Sequence, residues 1–160
     1  MSAPVADHAR PLKVTVRVDG SFDYATGVAG VGLVVHETRR PEGGRQGEVV
    51  ADLAEAHLEV APGDVQAFAI LRALEVAEAR GAALVRIRST DNQLRRRLKG
   101  DHRAGEGLDR EDLHGRILRL ARNFTSVQFS YRQRRKNSDV RRRARAARAL
   151  PPVSRATDQP

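Results

Sequence analysis

The stretch Val14-Thr15-Val16-Arg17-Val18-Asp19-Gly20-Ser21 decides the fold of this chain. Its valines alternate with other residues, and this period of two predicts a strand with one apolar face. A second apolar run at residues 28–35 contains Gly30 and Gly32, so the two runs predict a β-hairpin. Asp-Gly after a strand is also typical of a tight turn. Asp19 is therefore either a turn residue or a carboxylate placed at a strand end for chemistry.

The composition indicates one basic domain. The chain has 160 residues, 40% of them hydrophobic, and no cysteine, which excludes disulfides and cysteine-ligated metal sites. Its net charge of +9 points to a polyanionic partner, because Lys and Arg that displace counterions from phosphates supply most non-specific nucleic-acid affinity. Residues 1–11 and 151–160 lack periodicity and are expected to be disordered tails around a domain at residues 12–150. No apolar run reaches the ~20 residues of a membrane helix, and we expect a cytoplasmic protein.

Further along the chain, strand and helix patterns alternate. Residues 49–60 return as a third strand, and Asp64 caps a helix that ends at Gly81. The remaining patterns predict a strand at 83–87, helices at 91–98 and 113–124, a strand at 127–131 and a helix at 140–147. The order of elements is βββαβααβα, which is an α/β class.

Several of these segments together resemble the type 1 ribonuclease H family, over residues 12–148. The matching motifs are Val18-Asp19-Gly20-Ser21, the glycines at 27, 30 and 32, Ala69 with Ala73-Leu74-Glu75, Ser89-Thr90-Asp91-Asn92-Gln93-Leu94, and Arg134 with Asn137. The resemblance implies a ribonuclease H-like fold, with a mixed five-stranded sheet and helices on both faces. It also implies cleavage of the RNA strand of RNA/DNA hybrids by two divalent metal ions that four carboxylates hold.

Only two of the four acidic positions keep an acid. The resemblance places these positions at Asp19, Gln66, Asp91 and Arg141. Gln66 has nearly the shape of a glutamate but no charge, and the guanidinium of Arg141 stays charged under all ordinary conditions. The four side chains carry a net charge of −1, against −4 for four carboxylates. We therefore expect at most weak binding of Mg2+ or Mn2+, as one ion between Asp19 and Asp91, and weakened or lost two-metal catalysis.

Other interpretations of the acidic positions stay open. Asp139 would take the fourth position in a competing register, although a helix N-cap is its better explanation. Asp64 lies two residues before Gln66 and is expected to face elsewhere on the helix. Asp19 and Asp91 also have ordinary structural interpretations, as a turn residue and as a helix N-cap.

Polar and basic residues around these positions form a candidate nucleic-acid surface. The predicted contacts are Ser21, Asn92, Arg134, Asn137, Arg141, Arg142 and Arg145. If Arg141 points into the cleft, its guanidinium replaces a metal ion against the phosphate. A solvated helix face explains the same arginines without a ligand, and an arginine bias also follows from a GC-rich genome.

Three functions are compatible with the sequence. The leading hypothesis is a catalytically impaired ribonuclease H-like protein that binds RNA/DNA hybrid or structured RNA through an arginine-rich groove. One alternative is an active RNA/DNA hybrid endonuclease that uses Asp19 and Asp91 with Asp139 or Asp64. The other is a scaffold that binds a protein or ribosomal partner through its arginine-rich last helix.

Overall fold

The fold is built on one five-stranded sheet. The computed structural model describes residues 11–38 and 47–153. The strands are β1 (Lys13–Asp23), β2 (Val28–Thr38), β3 (Glu48–His57), β4 (Leu84–Ser89) and β5 (Ser126–Tyr131), in the spatial order β3-β2-β1-β4-β5. The β1–β2 and β2–β3 pairs are antiparallel, and the β1–β4 and β4–β5 pairs are parallel. The predicted mixed sheet is confirmed.

Helices follow the strands in the predicted order. The described part of the chain has four α-helices, α1 (Val65–Ala79), α2 (Asn92–Ala104), α3 (Leu113–Ala121) and α4 (Ser138–Ala147). Short 3-10 turns at Pro62–Asp64 and Arg134–Asn137 precede α1 and α4. The order βββαβααβα is therefore confirmed.

The alternation of β1 gives the sheet two different faces. Val14, Val16 and Val18 are fully buried on the first face, which we call the apolar face. The helices α1, α2 and α3 contribute to the same hydrophobic core. The intervening residues Arg17 and Asp19 project to the opposite, polar face, where α4 packs on β1, β2 and β3. Helices thus lie on both faces, as expected.

Two glycines in β2 allow α4 to approach the polar face closely. A Cβ atom at Gly32 would lie 2.5 Å from the backbone oxygen of Val140, and one at Gly30 would overlap the backbone oxygen of Ala144. Any larger residue at these positions would push the helix away from the sheet. Because strand and helix backbones are in direct contact, the first turn of α4 lies beside β1.

The parallel pairing of β1 and β4 determines where the candidate site lies. Arg17 of β1 is opposite Arg88 of β4, so Asp19 and Asp91 follow that pair by two and three residues. The carboxyl ends of neighbouring parallel strands meet at one edge, a common position for ligand sites in α/β sheets. The start of α1 closes this edge, since a Cβ atom at Gly20 would lie 2.5 Å from Cγ1 of Val65.

The two predicted tails fall mostly outside the described residues, which exclude 1–10 and 154–160. The first three residues of the C-terminal tail are described, and the backbone N–H of Val153 donates to the oxygen of Ala56 in β3 at 2.7 Å. In the segments that the structure describes, no helix is both long and apolar enough to cross a membrane.

Candidate functional site

Asp19 lies at the centre of the predicted site, on the polar face of β1. Its side chain belongs to a residue that is only 4% exposed. Its Oδ1 accepts hydrogen bonds from the backbone N–H of Gly20 at 2.9 Å and from Nε2 of Gln66 at 3.0 Å. A longer contact of 3.5 Å joins the same oxygen to Oγ1 of Thr90. Three donors therefore converge on one carboxylate oxygen and hold it in place.

Gln66, in the first turn of α1, faces Asp19 with its amide nitrogen. Besides the bond to Asp19, Nε2 donates to the backbone oxygen of Gly20 at 3.0 Å. Both partners are acceptors, so only the NH2 group can face them, and the orientation of the amide is determined. The other amide atom, Oε1, is buried and has no hydrogen-bond partner among the described residues. Gln66, the predicted second acidic position, therefore lies against Asp19 and presents N–H groups to it.

Asp91 lies where β4 gives way to α2, and it caps that helix. Its side chain accepts a hydrogen bond from the backbone N–H of Leu94 at 3.0 Å, while its own N–H donates to Oγ of Ser89 at 3.1 Å. The interpretation of Asp91 as an N-cap is thus correct. The same residue also lies next to the candidate site. Thr90 is the link, because its hydroxyl contacts Asp19 and its backbone leads directly into Asp91.

The fourth predicted position, Arg141, lies on α4 one turn after a residue anchored to β1. Nδ2 of Asn137 donates to the backbone oxygen of Val18 at 3.0 Å, next to Asp19. Residues four apart lie on the same face of a helix, so Arg141 lies on the face of α4 to which Asn137 belongs, the one turned towards β1. It is half-buried and makes no hydrogen bond or ion pair with any residue that the structure describes. Its charge is therefore available to a ligand.

Asp139, the alternative acid for that position, is engaged with a buried arginine. Oδ1 and Oδ2 of Asp139 accept from the two terminal nitrogens of Arg17 at 2.7 and 2.8 Å. These hydrogen bonds lower the pKa of Asp139 to about 2. The prediction that Asp139 caps α4 is wrong, because Asn137 holds the N-cap position and Asp139 lies in the first turn. Its side chain turns to Arg17 instead. The other alternative, Asp64, is exposed and makes no side-chain cap bond at the start of α1.

Sequence reasoning missed Arg17 and His36, which organise the polar face. Nε of Arg17 donates to Nε2 of His36 at 3.2 Å, and its Nη1 lies 3.4 Å from Oδ1 of Asn137. Nδ1 of His36 then donates to the backbone oxygen of Gly47 at 3.1 Å. Burial lowers the pKa of His36 and outweighs the hydrogen bond to Gly47, which raises it. Nearby arginines lower the pKa further, so the neutral ring is favoured. A signal existed: Arg17 shares the face of Asp19 in a buried strand, where a charged residue needs a partner.

The remaining predicted contacts differ in accessibility. Arg134, Arg142 and Arg145 are exposed, and Ser21 is half-buried on the polar face. Oδ1 of Asn92 is occupied by the guanidinium of Arg95, with the shorter bond at 2.5 Å. Asn137 is fully buried and both of its amide atoms are used within the protein, so it positions α4 and does not reach a nucleic acid.

The donors around Asp19 do not fit a pair of divalent cations. Such ions need several carboxylate oxygens free to coordinate them. In the described ranges, no three His, Cys, Asp or Glu side chains are grouped so that they could hold a metal ion. Oδ1 of Asp19 already faces three donors, and Gln66 adds N–H groups to it. Two oxygens remain, Oδ2 of Asp19 and the carboxylate oxygen of Asp91 that does not cap α2. Together they would hold at most one weakly bound metal ion.

A comparison with models of protein families agrees with the structure. The features in agreement are the sheet order, the close packing of α4 on two glycines and the polar site at the ends of β1 and β4. The family model described as reverse transcriptase-like matches residues 17–147. The chain belongs to this family. The matched range runs from within β1 to the end of α4 and includes all four predicted acidic positions. No curated protein matches this reverse transcriptase-like chain.

Solved structures show the same fold for this reverse transcriptase-like chain. The N-terminal ribonuclease H domain of a Mycobacterium tuberculosis protein superposes with a TM-score of 0.66 at 19% identity, over 86% of this chain and 94% of that one. Ribonuclease H1 from Halobacterium salinarum gives 0.65 at 20% identity, over 84% and 96%. The LC11 ribonuclease H1, solved in complex with an RNA/DNA hybrid, gives 0.62 at 21% identity, over 84% and 95%. The ribonuclease H-like fold, and the resemblance that predicted it, are confirmed.

Proposed function

We propose that this protein binds nucleic acid, with RNA/DNA hybrid as its preferred ligand, and that its metal-dependent cleavage is lost or severely weakened. The observation that carries the proposal is the hydrogen bond of 3.0 Å from Nε2 of Gln66 to Oδ1 of Asp19. Two facing carboxylates repel each other and need a cation between them. An amide that donates to a carboxylate needs none. The cleft is therefore stable without the ions that cleavage requires.

Charge at the fourth position supports the same proposal. Arg141 brings a permanent cation where the family resemblance expects an acid. Together with exposed Arg134, Arg142 and Arg145, it makes this side of the site attractive to phosphate. Guanidinium groups bind phosphate oxygens through paired N–H donors, so these residues supply affinity and position the backbone without hydrolysing it.

The choice of ligand rests on the fold relationship and the charge. A structural neighbour, LC11 ribonuclease H1, is solved with an RNA/DNA hybrid, and the present chain carries a net charge of +9. Such an excess of arginine suits a polyphosphate backbone. Structured RNA, whose helices share the A-form geometry, is the second ligand within this proposal.

The test combines binding and cleavage on one labelled hybrid, with Mg2+ or Mn2+ present. The expected result is salt-dependent binding by the wild-type protein and no more cleavage than the Asp19→Asn variant gives. The double variant Gln66→Glu with Arg141→Asp restores four acids and is expected to gain cleavage. Its matched control is Gln133→Glu with Arg142→Asp, which makes the same charge change at exposed positions and should gain none.

Two results would overturn the proposal. Vigorous wild-type cleavage that Asp19→Asn abolishes would establish the hybrid endonuclease instead, and loss of that cleavage in Asp139→Asn would identify the fourth acid. Failure of the wild-type protein to bind hybrid, RNA or DNA would favour the scaffold that binds a protein or ribosomal partner.

A further inference from the structure

A second basic surface lies on the polar face, beside the part that α4 covers. Arg86 and Arg88 of β4 point to this face, because Arg88 is paired with Arg17 of β1. Arg132 joins them from the end of β5, where its backbone N–H donates to the oxygen of Ser89 at 2.9 Å. We call Arg86, Arg88 and Arg132 the outer arginine patch. All three side chains are half-buried, so each is held against the sheet and still meets solvent.

The patch is not covered by a helix of the described chain. On the polar face α4 packs on β2, β1 and β3, whereas α1 and α2 reach β4 and β5 from the apolar face. The neighbours on β5 are neutral: Gln128 and Ser130 are opposite Arg86 and Arg88. Oε1 of Gln128 accepts from Nε of Arg86 at 3.0 Å, and the backbone oxygen of Lys136 accepts from Nε of Arg132 at 2.9 Å. These bonds orient two guanidinium groups without neutralising them.

The charge of the patch is not balanced from within the described residues. The acid that acts on it is Asp139, and both oxygens of Asp139 are already bonded to Arg17. Burial lowers the pKa of Arg88, and the positive charges of Arg86, Arg132 and Arg17 lower it further. The arginines therefore repel one another in the free protein. An anionic ligand would relieve this repulsion.

The geometry points to a phosphate-backbone site: the outer arginine patch binds a nucleic-acid strand by its phosphates, next to the cleft that contains Asp19. Residues two apart on a strand are separated by about 6.6 Å, so Arg86 and Arg88 present two donors along one line. The patch contains no aromatic side chain for base stacking. Recognition is therefore of the backbone and independent of sequence.

The patch and the cleft are continuous, which makes one long ligand the natural occupant. Arg86 precedes Ser89, the last residue of β4, by three residues, or roughly 10 Å of extended strand, and Asp91 follows two residues later. A hybrid that lies across the ends of β1 and β4 can continue over the outer face. This inference rests on the proposed function only because both proposals have nucleic acid as the ligand. The patch binds that ligand whether or not the cleft cleaves it.

The experiment measures affinity for RNA/DNA hybrids of increasing length over a range of salt concentrations. The patch variant is Arg86→Gln with Arg88→Gln, and its control is Arg116→Gln with Arg122→Gln, two exposed arginines near α3. The patch variant is expected to weaken binding of the longer hybrids by about tenfold and to reduce the slope of log K against log salt by about two. The control should change neither. Gln128→Glu, which adds an acid at an exposed position, should weaken binding without a risk to folding.

The outcomes separate the two proposals. Wild-type affinity and salt slope in both the patch variant and Gln128→Glu would overturn the patch and leave the cleft standing. If Arg141→Gln retains binding while the patch variant loses it, the patch is supported and the cleft proposal fails. A wild-type protein that binds no nucleic acid overturns both. Thermal unfolding of each variant identifies any loss of affinity that comes from misfolding, and in that case Gln128→Glu decides.

Discussion

The two faces of the sheet are stabilised by different kinds of contact. On the apolar face, Val14, Val16 and Val18 are fully buried among side chains of the three covering helices. Each contact there is weak and unspecific, and the sum depends on volume. On the polar face, Arg17 and Asp19 each depend on a particular partner, Asp139 and Gln66. The comparison teaches that the apolar face sets the fold, while the polar face sets what the site can do.

The polar face itself uses its charges in two ways. The inward-facing carboxylates are satisfied within the protein, Asp139 by a guanidinium and Asp19 by an amide. The cations at the rim, Arg141 and the outer arginine patch, form no ion pair with an acid among the described residues, although Arg86 and Arg132 donate to neutral oxygens. A nuclease site would need the reverse arrangement, with acids open to cations. The distribution of partners is therefore the physical basis for proposing binding over cleavage.

The largest effect is expected from the apolar face. Phe68 is 1% exposed, and Phe68→Ala should lower the free energy of unfolding by about 4 kcal/mol, because it leaves a cavity as well as losing buried surface. Urea denaturation followed by circular dichroism measures it. Leu58, which is 54% exposed, is the control, and Leu58→Ala should cost less than about 0.5 kcal/mol. Equal costs would mean that burial does not distinguish this face.

A smaller loss is expected when the ion pair on the polar face is broken. Arg17→Met removes two hydrogen bonds to Asp139 and should cost about 3 kcal/mol, since the partly buried carboxylate then keeps only a longer contact of 3.8 Å with Arg143. The double variant Arg17→Met with Asp139→Leu should recover most of this loss, because apolar residues often replace a buried ion pair at little cost. A double variant that is no more stable than Arg17→Met would show that the hydrogen bonds of Arg17 to His36 and Asn137 matter more than the pair.

The contact between Gln66 and Asp19 should rank third. Gln66→Glu replaces two donated hydrogen bonds with a second carboxylate, and in EDTA it should cost about 2 kcal/mol, or a decrease in Tm of roughly 6 °C. Mg2+ should reverse part of this loss in the variant and leave the wild-type Tm unchanged, because a cation between the acids stabilises the folded state. The exposed control Gln133→Glu should respond to neither condition. Stabilisation of the wild-type protein by Mg2+ would contradict the idea that Gln66 takes the place of a metal.

The sequence was sufficient for the fold because the fold depends on periodicity and spacing. The valines of β1 and the glycines of β2 predict the hairpin, and the structure shows why Gly30 and Gly32 are needed against α4. The end of α2 was less predictable. The apolar pattern stops at Leu98, yet the helix continues to Ala104, where Gly105 adopts a positive φ of 69°. Tertiary contacts of His102 with Phe129 stabilise a turn that periodicity does not mark.

The site was only partly predictable, because its decisive facts are orientations. Sequence alone places Gln66 near Asp19, but it cannot tell whether the amide presents oxygen or nitrogen. The structure answers this through the backbone oxygen of Gly20, a second acceptor. Asp139 is the opposite case. Its position at the start of α4 suggests an N-cap, and its actual partner, Arg17, is 122 residues away in sequence.

The smallest effect is a pH dependence of the Arg17–Asp139 pair. Hydrogen bonds from Arg17 lower the pKa of Asp139 from 3.8 to about 2. Since the folded-state pKa lies below the unfolded value, the pair stabilises the fold fully above about pH 5, and this contribution is lost as the pH falls towards 2. The side chain of Asp139 is 36% exposed, so solvent screening reduces the contribution to about 1 kcal/mol. Asp139→Asn should show that deficit at pH 6 and lose it near pH 2.

Comparison with wild type at each pH isolates this pair from other acids. Glu55, for example, also loses stabilisation in this range: burial raises its pKa, but hydrogen bonds from Arg72 and His57 outweigh burial and lower it to about 2. Because Glu55 is present in both proteins, its contribution cancels in the difference between their unfolding free energies. Asp64→Asn, at an exposed residue without a side-chain cap bond, should match wild type throughout. A deficit in Asp139→Asn that stays constant down to pH 2 would show that the carboxylate acts through packing, and that the polar face is less dependent on charge than its geometry indicates.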